Sequence, residues 1–253
     1  MITISNNPAT DQPADTRRIR QEIAIVLVVT FGLSGMRAAL RLLSDLMQPV
    51  PLNQQQTTLA AHQSDTSWID LAMQLCSSAM LFSWGFLALY LLRESIFSRW
   101  RPKAILEGAG LAALIGIPGL VFYLSAVHFG FSKQVVPSTL NDAWWEIIVL
   151  LIWSAANAFS EEIVVVMWLI TRLQQLRIPP WVALLLSAVL RGSYHLYQGW
   201  SAGLGNIIMG LIFGAYYLKT RRVWPLILGH FLIDAVAFVG YSLLRGHLSF
   251  LGL

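Results

Sequence analysis

The sequence predicts an all-α protein: a polytopic transmembrane bundle of about seven helices, with the amino terminus in the cytoplasm. Three observations carry this. The 253 residues are 56% apolar and only 12% charged, with a mean hydropathy of +0.62, whereas soluble domains carry about 25% charged residues. Apolar runs recur at about 22–47, 68–92, 104–129, 143–171, 180–197, 204–218 and 223–244, most of them near the roughly 20 residues that cross a bilayer. Basic residues concentrate in alternate connections, the mark of cytoplasmic loops.

Residues 1–21 are polar, with Pro8 and Pro13 and the basic cluster Arg17, Arg18 and Arg20, and read as a disordered cytoplasmic tail. The first run follows arginines as a signal peptide would. Its helical pattern continues through Arg37, Arg41 and Asp45, so it is expected to be an uncleaved first helix. Connections assigned to the inside hold Arg17, Arg18, Arg20, Arg93, Arg99, Arg101, Lys103, Arg172, Arg177, Lys219, Arg221 and Arg222. Those assigned to the outside hold Lys133 and Arg245, and Arg37, Arg41 and Arg191 fall inside helices.

The 48–67 connection, with Pro49, Pro51 and Gln54 to Gln56, reads as an irregular external loop. Residues 22–142 then supply three accessory helices, the third expected to kink at Pro118 among its glycines. In the sixth run Gly199 and Gly203, then Gly210 and Gly214, stand four apart, a spacing that permits close helix approach. Arg37, Arg41 and Asp45 form a ladder toward the outer face and are expected to pair with Asp70, Asp142 or Glu146. His62, His128 and His247 are expected to be solvated. Trp144, Trp145 and Trp224 suit interfacial anchors. A pI near 9.5 could suggest nucleic acid, but spreading the charge between apolar runs argues against such a partner. Cys76 is the single cysteine, which rules out an intrachain disulfide and a cysteine-based zinc framework.

Ionisable groups inside a membrane are costly, and each is a functional-site hypothesis. Glu161 and Glu162 interrupt the fourth run, Arg191 and His195 lie in the fifth, and His230 and Asp234 lie in the seventh. Spacing of four puts Arg191 with His195, and His230 with Asp234, on one helix face each. Adjacent Glu161 and Glu162 point about 100° apart on an α-helix, so one alone is expected to face any site. A carboxylate in a low-dielectric cavity can act as general base, and imidazoles can stabilise an oxyanion. Glu161, His195 and His230 are also a possible zinc set, although no HExxH spacing accompanies them. A purely structural pairing of these groups is the bland alternative.

In order, Glu161-Glu162, His195 and His230-Phe-Leu-Ile-Asp234 resemble the EExxxR, FxxxH and HxxxN/D motifs of the CAAX protease and bacteriocin-processing (Abi) family, which includes lysostaphin-resistance-like proteins. The resemblance covers about 143–245 and implies a catalytic membrane core over 143–253 that hydrolyses peptide bonds without a metal. It implies that Glu161 activates water beside Glu162, His195 binds or orients that water, and His230 with Asp234 stabilises the transition state. Prenylated CAAX peptides and bacteriocin-like peptides are the candidate substrates, the lipid bilayer is the other partner, and no organic cofactor is suggested. The cell membrane is the expected location.

Two positions depart from the family pattern: Val166 replaces the motif arginine, and Arg191 replaces the phenylalanine. We expect Arg191 to supply the missing guanidinium to Glu162 or Glu161 from the neighbouring helix; snorkelling is its alternative. Asp234, where an amide is common, must be protonated to donate. Asn206 could supply an amide donor instead, or bond between helices. Counted from the helix ends, Glu161 and His230 lie in the inner half and His195 further out, so tilt of the fifth helix or a longer fourth one is needed. The competing classes are a non-catalytic partner-binding, regulatory or immunity protein that keeps the motifs, and a proton-coupled transporter.

Overall fold

The computed structural model describes residues 16–96, 100–138 and 144–244. Pro8, Pro13, Arg99, Asp142, Arg245 and His247 lie outside the described residues. Helix lies under every one of the seven apolar runs. In chain order the elements are α1 (Thr16–Val29), α2 (Phe31–Leu46), β1 (Gln56–Ala60), α3 (Ser67–Leu92), α4 (Lys103–His128), β2 (Gln134–Ser138), α5 (Glu146–Glu161), a π-helical segment (Glu162–Trp168), α6 (Leu169–Gln175), α7 (Pro180–Ser193), α8 (Trp200–Thr220) and α9 (Trp224–Leu244).

Among the described residues five helices are long and apolar enough to cross a membrane, with α5, the π segment and α6 forming a single 30-residue span. That span is the most enclosed of the five and α4 the least, which makes the glutamate-bearing helix the axis of the bundle. The first run is not one straight helix. It bends by 48° between α1 and α2 at Thr30, whose backbone leaves the helical region (φ −112°, ψ −107°) while its hydroxyl donates to the Val26 carbonyl at 2.7 Å. Residues 16–21, inside the expected tail, are helical, and the helix is anchored at Glu22, whose carboxylate takes a bidentate pair from Arg172 (2.7 and 3.1 Å) and the Trp168 indole N–H (3.0 Å). Helix α4 continues through Pro118 to His128.

The fifth run stops early. Helix α7 has 14 residues, about 21 Å at 1.5 Å per residue, short of the roughly 30 Å hydrocarbon core. It turns at Tyr194–Gln198 and pairs with α8, its closest helical neighbour along with the α4–α9, α5–α9 and α3–α5 pairs. Glycine makes the α7–α8 approach possible. A Cβ on Gly192 would stand 2.6 Å from the Gly203 carbonyl oxygen, and one on Gly210 would stand 2.9 Å from the Ala188 Cα.

The two ends of the bundle differ as the charge count requires. At one end Arg222 pairs with Glu107 (2.8 Å), Arg172 donates to the Leu91 carbonyl (2.6 Å), and Arg93, Arg177 and Arg221 take left-handed backbone at or just beyond helix ends. A non-glycine residue there costs about 1 kcal/mol, and the guanidinium beside the helix C-terminus offsets part of it. At the other end the 48–67 connection is more regular than expected. β1 lies parallel to β2, Gln56 opposite Gln134, and the β2 segment is bridged to the α7–α8 turn through Ser132 and Gly199. The expected charge ladder is rearranged here. Asp45 is buried and pairs with Lys133, itself buried, and with Arg41 at 3.3 Å. Asp70 instead pairs with His62 at 3.2 Å, so His62 is not simply solvated.

Candidate active site

The π-helical turns begin at Glu162, immediately after Glu161. A π turn hydrogen-bonds i→i+5 instead of i→i+4 and swings side chains out of α-helical register. Glu161 and Glu162 themselves keep ordinary helical backbone, and it is a single Arg191 nitrogen that reaches both carboxylates, which corrects the expectation that only one faces the site. The same turns leave the Val165 carbonyl available to the Ser187 hydroxyl of α7 (2.7 Å), which docks α7 beside the glutamate pair.

Arg191, two residues before the end of α7, is the hub. Its Nη2 donates to Glu161 Oε2 at 3.1 Å and to Glu162 Oε1, and lies 3.1 Å from His230 Nδ1. Its guanidinium carbon sits 5.6 Å over the Phe213 ring of α8. Fully buried at no exposure, it is a desolvated cation between two carboxylates, a geometry that is stable only while all partners are present. Snorkelling is thereby excluded for this side chain.

His230 Nδ1 stands 2.8 Å from Glu162 Oε1, and its Nε2 stands 3.6 Å from Asp234 Oδ2. Both hydrogens on Arg191 Nη2 are taken by carboxylates, so His230 Nδ1 carries a proton toward Glu162. The imidazole is thereby oriented with Nε2 toward Asp234. His195 lies beyond the end of α7 and its Nδ1 pairs with the Arg191 carbonyl at 3.0 Å, which leaves Nε2 as its free ring nitrogen. Asn206 is not brought into this network; its amide donates to Ala202 of its own helix at 3.0 Å.

Sequence reading missed Tyr194. Its hydroxyl donates to Glu161 Oε2 at 2.8 Å, and its ring packs on Phe31 of α2 at 4.7 Å between centroids. Gly35 lets α2 approach that closely, since a Cβ there would meet the Ser193 hydroxyl at 2.3 Å. The two glutamates thus differ in environment. Glu161 is held at Oε2 alone and keeps 9% of its side-chain surface exposed, whereas Glu162 has none. Buried without a partner are Glu162 Oε2 and Arg191 Nε and Nη1.

The depth problem dissolves in part through length. The glutamate-bearing span runs to Gln175, beyond its expected end near 171, so Glu161 is its sixteenth residue of 30 and lies near mid-membrane. Among the described residues no three His, Cys, Asp or Glu side chains form a group that could hold a metal ion. The cation that stands between Glu161, Glu162 and His230 is the Arg191 guanidinium.

Residues 143–236 match the family model described as Rce1-like, type II CAAX prenyl endopeptidase Rce1-like, which spans α5 to α9 and every residue of the cluster. No curated protein and no solved structure matches the chain.

Proposed function

We propose, with residues 143–236 belonging to the Rce1-like family of CAAX-type intramembrane proteases, that the chain is a glutamate-dependent, metal-independent endopeptidase of membrane-associated peptides. The observation that carries the finer reading is the asymmetry of the glutamate pair. Glu161 is fixed through Oε2 by Tyr194 and Arg191 yet stays reachable, while Glu162 is sealed against Arg191 and His230.

In this mechanism a water lies between Glu161 and the free Nε2 of His195. Glu161 removes a proton as the water oxygen attacks the peptide carbonyl carbon. His230, protonated on both ring nitrogens with Nδ1 held by Glu162, donates from Nε2 to the developing oxyanion; Asp234 does so too when protonated, or else steadies the imidazolium. Collapse of the tetrahedral intermediate breaks the C–N bond, and the proton on Glu161 passes to the leaving amine. Arg191 stands in for the guanidinium that Val166 cannot provide and gives two neighbouring carboxylates a common cationic partner. Prenylated CAAX and bacteriocin-like peptides are the proposed substrates, and the cell membrane the proposed location.

The test uses purified protein with chelator present against paired prenylated and unprenylated peptides, comparing wild type with Glu161→Gln. Cleavage by wild type alone supports the reading and identifies the substrate class. Cleavage by both, or by wild type only after metal is restored, overturns it. A Glu161→Gln protein that keeps full biological function instead favours a non-catalytic partner-binding role.

A further inference from the structure

An open groove of about 580 Å³ runs between α2 and the Tyr194–Gln198 turn, lined by Ser34, Arg37, Arg41, Tyr194 and Tyr197 among others. This volume lies within the roughly 300–1,000 Å³ of small-ligand sites. Two features set it apart from a lipid-filled crevice. First, Tyr194 belongs to both places: it lines the groove while its hydroxyl holds Glu161. Second, the groove is cationic. Arg37 and Arg41 stand one turn apart on the same face, and among the described residues Arg37 has no carboxylate within ion-pair distance. Asp45 already serves both Lys133 and the 70%-exposed Arg41, so these four side chains leave two positive charges uncompensated. Arg37, without a carboxylate, and Arg41, which shares Asp45 with Lys133, favour a further carboxylate or phosphate, the anions their fork geometry matches.

We propose that this groove is the entry by which a peptide reaches the cluster, and that Arg37 and Arg41 hold a negative charge on that peptide, a terminal carboxylate or an acidic side chain. The proposal rests on the peptidase reading above and adds to it a specificity site outside the matched residues 143–236. The position of the charge follows from helix geometry. Phe31 packs at the level of the Tyr194 ring; Arg37 and Arg41 are six and ten residues further along, about 9 and 15 Å at 1.5 Å per residue. An extended peptide covers that at about 3.3 Å per residue, which sets the charge about three to five residues from the bond that is cut. The groove also lies toward the end of the bundle that carries β1 and β2, opposite the arginine-rich end. The peptide therefore arrives from that end of the bundle.

Two measurements test this in phosphatidylcholine nanodiscs. A Ser34→Cys probe in a Cys76→Ser background is modified with an anionic and with a cationic methanethiosulfonate of similar size. We expect the anionic reagent to react about tenfold faster, with the ratio collapsing toward one in Arg37→Gln plus Arg41→Gln. Equal rates with both arginines present, or no reaction at all, overturn the proposal whatever the chain catalyses. A bias abolished by adding phosphatidylglycerol would make the groove a headgroup site and overturn peptide entry. The second measurement compares cleavage of peptides that differ only in an acidic or an amide residue three to five positions from the cut. Wild type should favour the acidic member about tenfold, and the double variant should lose that preference. Glu161-dependent cleavage that ignores charge refutes this proposal alone; a labelling bias with no Glu161-dependent cleavage of any peptide refutes the peptidase reading instead, and peptide entry with it.

Discussion

Removing the Arg191 guanidinium is the most consequential single change the structure allows. Arg191→Leu leaves Glu161, Glu162 and His230 facing one another without a cation, with Glu162 fully buried and its Oε2 already unpartnered. Breaking a buried ion pair by removing one partner costs about 3–5 kcal/mol. At about 2–4 °C per kcal/mol for a chain of this size, the midpoint of thermal unfolding should fall by about 6–20 °C. The ten tryptophans make intrinsic fluorescence in detergent a direct readout. The reasoning further requires that most of the loss be the stranded carboxylates. Glu162→Gln added to Arg191→Leu should therefore recover about 1–3 kcal/mol, the size of coupling expected for residues in contact, while activity stays absent. An Arg191→Leu protein with wild-type midpoint and full activity would refute the assignment of Arg191 as the hub. A double variant no more stable than Arg191→Leu would refute the electrostatic account of it.

Tyr194→Phe removes one hydrogen bond to a charged group, worth about 1.5–3 kcal/mol; kcat should fall by about ten- to a hundredfold with little change in KM, and an unchanged kcat would deny Tyr194 any part in setting Glu161. Gly210→Ala forces a methyl group against the Ala188 backbone at 2.9 Å and should cost about 1–3 kcal/mol of overpacking, read as a lower unfolding midpoint. Gly110→Ala, with nothing within 4 Å, should be neutral or stabilising by up to about 1 kcal/mol; a similar loss at both sites would show that helix propensity rather than α7–α8 contact governs. Asp45→Leu strands the buried Lys133 and should expose the 129–138 connection to limited proteolysis, whereas Asp45→Leu with Lys133→Met should restore protection.

Helix placement was legible in the sequence because a bilayer demands a long apolar surface from each span, and the charge bias divided the connections correctly into two ends. Both ends are internally consistent in the structure, with β1 against β2 at one and Glu107 against Arg222 at the other. The polar cluster was legible for the same solvent reason: Glu161, Glu162, Arg191, His230 and Asp234 stand out only because the sequence around them is apolar. What escaped were features with no hydropathic signature. A π segment after Glu161 shifts the register of the helix beyond it without altering the pattern of apolar residues, and Tyr194 contributes through a hydroxyl on a residue that reads as aromatic filler. The bend at Thr30 depends on a single backbone conformation. The β1–β2 pairing joins glutamine- and threonine-containing segments 78 positions apart, too polar and too distant for periodicity to reveal.

The central claim is that Glu161 is the base that activates water. Its most direct test is the kcat/KM of Glu161→Gln relative to wild type on one cleaved peptide, with chelator present and equal amounts of folded protein. General-base catalysis contributes about 10²–10⁴-fold, so the account predicts a loss of that size, with a smaller drop in unfolding midpoint than Arg191→Leu gives, because Glu162 still pairs with Arg191 and the amide oxygen still accepts from Tyr194. A variant that retains the wild-type rate would contradict it.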